Sequence, residues 1–123
     1  MSQHPAPAAA NTWPWPDSLD ALVAAPAHHD LLLEDDRIRI VHTHIAPGDI
    51  VPLHTHRWSG VAYVQSFSHF IRRNERGEVT FDSRPGDSPV TPCAQWLQAL
   101  PPHTVENVGP AEINILIIEI KGR

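Results

Sequence analysis

Apolar and polar residues alternate with a period of two along most of the chain beyond residue 30, the mark of strands with one buried face. Leu31 to Leu33 reads as a short strand, and Arg37 to Ile45 as a longer one with Ile38 and Ile40 on one face. Val61 to Phe67 and His69 to Arg73 follow, and a polar turn through Asn74, Glu75, Arg76 and Gly77 leads into Glu78 to Phe81. The stretch Asp82 to Pro92 is a loop, because its prolines and Gly86 deny it regular pairing. Gln95 to Leu100, His103 to Val108 and Ile113 to Lys121 complete the strands. The one helical signal is Leu19 to Ala25, with Ser18 as its cap, Asp20 in its first turn and Pro26 as its stop. Roughly nine or ten short strands joined by short turns predict an all-β sandwich or jelly roll.

The residues before Ser18 show no such period. They are rich in proline and end in Trp13-Pro14-Trp15-Pro16-Asp17, which divides the chain into an extended arm, 1–17, and a single domain, 18–123. Exposed indoles are costly in water, so the arm is expected to pack on its own domain or on a second copy of the chain. With 123 residues, 41% hydrophobic and 19% charged, there is material for one core. No apolar run approaches the ~20 residues of a membrane span. The net charge of −5, with no basic cluster beyond Arg72, Arg73 and Arg76, argues against nucleic-acid binding. A lone cysteine, Cys93, precludes an internal disulfide and fits a reducing cytosol; with no signal-peptide pattern, a cytoplasmic protein is expected.

The chemistry lies in the nine histidines. His54 and His56 follow a turn at Pro47-Gly48-Asp49, and alternate residues of a strand face the same way, so both imidazoles can reach one point. His103, four residues before Asn107, would add a third from a distant strand, leaving positions open for water, substrate or dioxygen. Such nitrogen ligands suit one divalent transition metal, whether Fe, Zn, Ni, Mn or Cu. Being neutral, they leave the ion its full charge, which favours an anionic substrate. His4 in the arm and the His28-His29 pair in a loop are expected to be solvated. His42 and His44 share a face with Ile38 and Ile40, which predicts that they turn toward the core, as wall histidines or as residues beside the metal. Arg57, Tyr63, Gln65, Trp96, Gln98 and Asn107 lie next to these motifs in sequence and are candidates for the pocket.

The motifs also carry a resemblance. Gly48, five residues, then His54-Thr55-His56 resembles the opening of the first cupin motif, and His103-Thr104-Val105-Glu106-Asn107 the close of the second. The resemblance spans roughly Asp30 to Lys121 by element order and implies a double-stranded β-helix, the cupin jelly-roll barrel. It also implies a metal centre on His54, His56 and His103, with Asn107 securing a turn. Where the first motif places a metal-binding Glu, this chain has Gly60 or Val61, and Phe67 stands where a Gly is usual; Gln98 and Leu100 replace the Pro and Gly of the second. With Gly60 there, the fourth protein ligand is missing and space opens beside the ion, or a side chain such as Gln65 replaces it.

Among cupins, three-histidine sites resemble those of thiol dioxygenases and certain diketone-cleaving dioxygenases. The expected function is a metal-dependent enzyme of oxygenase or isomerase type acting on a small carboxylate or enol-like metabolite. The alternative is a non-catalytic sensor that binds a small ligand in the same cavity, with or without metal. Small cupins commonly dimerise and exchange terminal segments, so the resemblance and the Trp-Pro arm together predict a homodimer.

Overall fold

The computed structural model describes residues 13–122. The first twelve residues of the expected arm, His4 among them, lie outside the described residues. Nine strands follow one another: β1 (His29–Glu34), β2 (Ile38–Ile45), β3 (Ile50–His56), β4 (Gly60–Ser66), β5 (Phe70–Asn74), β6 (Val79–Asp82), β7 (Cys93–Leu97), β8 (Leu100–Asn107) and β9 (Ile113–Ile120). They form two antiparallel sheets, one of five strands in the order β1-β2-β9-β4-β7 and one of four in the order β3-β8-β5-β6. This is an all-β double-stranded β-helix, in which the inner faces of the two sheets share one interior.

Two expected elements differ. The stretch Gln95 to Leu100 is two strands, because the chain changes sheet within it: Leu97 pairs with Gly60 of β4, whereas Leu100 pairs with His56 of β3. The N-terminal helix is a single turn, α1 (Ala21–Ala24), preceded by a 3-10 turn (Asp17–Leu19). Its cap is Asp20 rather than Ser18, through a carboxylate that accepts from the Leu22 amide. Ala21 and Ala25 are buried, so α1 lies as a plug against β3 and β1.

The face of β2 also comes out opposite to expectation. Arg39, Val41, Thr43 and Ile45 are buried, while Ile38, Ile40, His42 and His44 lie half-buried on the outer side. A strand with aliphatic residues on both faces satisfies a period of two either way, and the pattern alone cannot orient it. The interior cluster is built from Ala25, Ile45, Val51 and Ile113, with Phe70, Val105 and Ile115 packed against it.

Turn chemistry holds the sheets in register. Gly48 has φ +85° and forms the turn before β3; its amide donates to the Asn107 carbonyl at 3.0 Å, and the Asn107 amide returns a bond to the Asp49 carbonyl. The fully buried Asn107 side chain donates to the Ile45 and Ala111 carbonyls and accepts from the Gly109 amide, tying β2, β8 and the turn before β9 together.

Gly60 answers a different constraint. It lies opposite Glu119 where β4 meets β9, and a Cβ built on it would run into the Ile118 carbonyl oxygen. Gly60→Ala is therefore expected to destabilise the protein by about 1–3 kcal/mol through overpacking. Gly86→Ala, where the added carbon would meet only the Ser83 carbonyl at 3.6 Å, serves as the control. Urea denaturation of both variants checks this; equal midpoints would show that β4 and β9 separate at no cost.

Candidate metal centre

His54 and His56 project from β3 into the interior with ring centroids 5.0 Å apart. Pairing of β3 with β8 sets His103 opposite His54, which brings its ring within 4.3 Å of His54 and 5.6 Å of His56. All three are buried. A fourth imidazole joins them. His29, the first residue of β1, is only 4% exposed, and its ring lies 4.9 Å from His54 and 5.4 Å from His56. The expectation that His28 and His29 are solvated is thus corrected: the pair adjoins a strand beneath α1, and His28 is half-buried with Nδ1 donating to the His44 carbonyl at 3.0 Å. One ring nitrogen each from His29, His54 and His56 lie within 4.8 Å of one another.

Backbone carbonyls fix three of these rings in the same way. Nδ1 of His54 donates to the Pro52 carbonyl at 2.7 Å, Nδ1 of His103 to the Pro101 carbonyl at 2.7 Å, and Nδ1 of His29 to the Ala25 carbonyl at 3.0 Å. A carbonyl oxygen can only accept, so each ring carries its proton on Nδ1 and keeps a lone pair on Nε2. This tautomer, held by a second hydrogen bond, is the form in which histidine ligates a transition metal. Burial, followed by the neighbouring His56, keeps the same rings neutral: His29 is pushed down to about 4, His54 to about 2 and His103 to about 3. The donor set therefore fits a divalent ion without first having to lose protons.

His56 has another partner. Its Nδ1 stands 3.5 Å from Oε2 of Glu119, a residue with no exposure to solvent. Oε1 of Glu119 accepts from Arg39 Nε at 2.6 Å, and the terminal nitrogens of Arg39 reach both oxygens of Asp20 at 2.9 and 3.1 Å. Burial works against the Arg39 charge, but the hydrogen bonds and charges of Asp20 and Glu119 hold it above an arginine's ordinary range. A chain of polar groups thus runs from the cap of α1 to the histidine cluster. At position 60, where the cupin motif has a carboxylate, no side chain fits; a carboxylate comes instead from the strand opposite and supports His56 from behind.

The histidines close one part of a cavity of about 130 Å³ between the sheets. Its walls are mainly apolar, with Val51, Val64, Phe70, Ile113, Ile115 and Ile117 prominent, and its polar members include Thr43, Gln95 and Arg72. The remaining sequence candidates lie elsewhere. Tyr63 and Gln65 alternate with the buried Ala62 and Val64 of β4, so both face outward and Gln65 cannot replace the missing ligand. Trp96 is 59% exposed on β7, between Gln95 and Leu97, which face the cavity; Gln98 lies where the chain changes sheet. Arg57 lines a separate groove with Trp13, Asp20, Arg39 and Trp58. Asn107 holds the turns already described. His42 and His44 stand on the outer face around Asp30, whose carboxylate is 3.0 Å from His44 Nε2 and 3.9 Å from His42 Nδ1. Ligand atoms of these three also lie within 4.8 Å of one another.

Sequence reasoning missed His29, Glu119, Arg39 and Arg72. A local signal existed for the ring-fixing bonds, because a proline stands two residues before both His54 and His103. None pointed to His29 or Glu119, whose roles arise only when distant strands pair.

No family model matches the sequence, and no curated protein is similar to it. Solved structures are similar in fold. A cupin domain from Bordetella pertussis Tohama I aligns with a TM-score of 0.60 at 18% identity, covering 76% of this chain and 91% of that one. An RmlC-like cupin family protein with a double-stranded β-helix fold from Methanocaldococcus jannaschii gives 0.54 at 10% identity, covering 76% and 79%. A conserved protein with a double-stranded β-helix domain from Klebsiella pneumoniae gives 0.52 at 16% identity, covering 93% and 83%.

The depressed histidines make the stability of the metal-free protein depend on pH. An unfolded chain protonates these residues near 6.5, whereas the folded protein resists protonation until about 4 or below. The unfolded state then binds more protons, so stability is lost as pH falls below 6.5, by about 1.4 kcal/mol per pH unit for each such histidine. Denaturant midpoints measured between pH 7.5 and 4.5 should fall steeply below 6.5. A flat profile would mean that the cluster is solvated.

Proposed function

We propose, for a chain with the cupin fold, that His54, His56 and His103 hold one divalent transition metal and that His29 completes the set in place of the absent glutamate. The observation that carries this reading is the common tautomer of His29, His54 and His103, each with Nδ1 engaged by a carbonyl and Nε2 left for a ligand. Fe, Zn, Ni, Mn and Cu are all compatible with such nitrogen donors. Bound there, the ion would supply Lewis acidity and, if it is iron, dioxygen chemistry. The chain's own contribution is to exclude water with an apolar wall, to keep three imidazoles neutral with Nε2 free and to fix the fourth through Glu119.

An oxygenase acting on a small carboxylate or enol-like metabolite fits this interior better than an isomerase. Among the residues lining the cavity there is no Asp, Glu, Lys or Tyr to serve as a general base, so proton transfer would fall to the histidines themselves. The same lack of a base is the observation favouring a second reading, a non-catalytic sensor that binds its ligand in this cavity. Oxygen consumption with candidate acids and diketones separates the two. Stabilisation by a ligand without turnover would favour the sensor.

Metal content is measured best in a His42→Ala/His44→Ala background, which removes the outer cluster around Asp30. That protein, loaded anaerobically with Fe(II), Ni(II) or Zn(II), is expected to retain one equivalent by elemental mass spectrometry. Adding His54→Ala and His103→Ala should abolish retention, and His29→Ala should weaken binding by at least about tenfold. One equivalent retained without His54 and His103, or no uptake at all, would refute the centre.

The expected homodimer is carried forward as a proposal supported by β1, an edge strand on which Leu31, Leu32 and Leu33 are 48%, 56% and 52% exposed. Exposed apolar edge strands of this kind are stable when paired or covered. Light scattering should give about twice the chain mass of 13.7 kDa, and a monomer mass would reject the proposal.

A further inference from the structure

Arg39 and Arg72 both carry guanidinium nitrogens into the protein, and their surroundings differ in kind. Arg39 is met by two carboxylates. Arg72, on β5, has no carboxylate partner among the described residues. Its Nε is buried with no hydrogen-bond partner, and its guanidinium lies 5.8 Å from the Phe70 ring and 5.7 Å from the Phe81 ring. Aromatic faces stabilise a cation partially but leave its hydrogen bonds unmade. A buried donor without an acceptor is costly, and more so when charged. Burial accordingly lowers the tendency of Arg72 to hold its proton, with no compensating acid.

The position of Arg72 says what is absent. It lines the cavity that the histidines close, next to edge strand β6, and its charge is among the influences that keep His103 neutral. A second unmade bond belongs to the same cavity: Thr43, on the opposite sheet beside His29, has a buried hydroxyl with no partner. Of the three buried side-chain nitrogen or oxygen atoms without a hydrogen bond among the described residues, two therefore belong to cavity-lining residues. An unpartnered guanidinium nitrogen and an unpartnered hydroxyl lining one mainly apolar chamber are groups that a polar ligand would complete.

We propose that Arg72 is the anchor for the carboxylate of a small monocarboxylic acid whose apolar body occupies the cavity. The guanidinium matches a carboxylate with parallel N–H donors, and the flanking Phe70 and Phe81 hold its plane. Size limits the rest of the ligand. A dry cavity of about 150 Å³ takes a molecule the size of benzene, and this one is about 130 Å³. The ligand class is thus a monoanion with roughly six carbons of apolar body, such as an aromatic or short branched acid. The inference deepens the proposed metal-dependent reading by naming its substrate class, but the anion subsite stands on Arg72 alone and is tested without metal.

The experiment uses the full chain stripped of metal by chelator, titrated calorimetrically with benzoate and with benzamide, its neutral counterpart of nearly equal shape. Wild type should bind benzoate at least about tenfold more tightly, as expected for a charge-assisted pair. Arg72→Gln should bring the two ligands within about twofold of each other, and Arg72→Lys should retain part of the preference, since it keeps the charge and loses the fork. A wild-type far-ultraviolet circular dichroism spectrum and cooperative urea unfolding of Arg72→Gln show that the variant is folded. Equal binding of both probes to wild type, binding of neither, or a benzoate preference that survives Arg72→Gln would overturn the proposal. If metal uptake fails in every protein while the benzoate preference holds, the metal centre falls and the anion subsite remains.

Discussion

Glu119 is a carboxylate with no contact with solvent, and a charge in that position must be met inside the protein. Arg39 meets it, directly opposite in the β2–β9 register, at 2.6 Å. Much else follows from that pair. Arg39 cannot sit beside Glu119 unless its strand turns that face inward, which sends His42 and His44 out and Thr43 in. The far end of the guanidinium needs its own acceptor, and Asp20 supplies it while capping α1, so the plug over the barrel is attached to the same network. The close approach of β9 to β4 in this row is what excludes any side chain at Gly60. A buried ion pair of this sort is weak evidence for stability, since well-packed apolar residues would serve as well or better. Its use here is positional, because it sets a carboxylate behind His56.

The histidines are organised by a second principle. A metal site assembled from flexible rings would have to select tautomer and orientation at the moment of binding. In this protein three of the four rings already have both chosen by backbone carbonyls, two of them on prolines in the strand of the histidine itself. A proline has no amide hydrogen, yet its carbonyl remains a full acceptor, so the residue frees the strand from one ladder bond while still fixing the side chain two positions on. Preorganised donors in a chamber with apolar walls keep their lone pairs for an ion rather than for water.

The strand pattern of the sequence was enough for an all-β sandwich or jelly roll, and the resemblance to the cupin motifs narrowed it to the double-stranded β-helix. Alternating residues, turn signals and the two histidine motifs located most of the strands, and the motifs led to His54, His56 and His103, whose rings lie 4.3–5.6 Å apart, although the group of ligand atoms within 4.8 Å of one another is His29, His54 and His56. What could not be read has a common cause. The orientation of β2 was ambiguous because both of its faces are aliphatic. His29 reads as half of a polar pair after a helix until β1 pairs with β2 and α1 closes over it. Glu119 carries no signal in the strand Ile113 to Lys121, and only the pairing of β2, β9 and β4 shows that it is enclosed. Arg72 looks like one of three neighbouring basic residues, although Arg73 pairs with Glu106 in the usual way and only Arg72 faces the cavity. Each of these roles is a relation between strands far apart in sequence, on which local periodicity carries no information.

Charge in the interior ties the two halves of the site together. The Asp20–Arg39–Glu119 chain contributes two negative charges against one positive, and the neutral imidazoles of His29, His54 and His103 contribute none. A divalent ion held by those imidazoles would turn that net negative charge into a net positive one, and Arg72 would add to it. In a medium of low effective dielectric such an imbalance is not tolerated without a counter-charge close by. Solvent cannot supply it where the walls are isoleucine, valine and phenylalanine. On the proposed reading the ligand does so, which would make an acid a better occupant than a neutral molecule of the same shape and would make ion and acid mutually supporting. By linkage, whatever the proposed acid would gain from the proposed metal the metal would gain from the acid, and this reciprocity is the ground for proposing Arg72 on β5 and the histidine cluster as parts of one site.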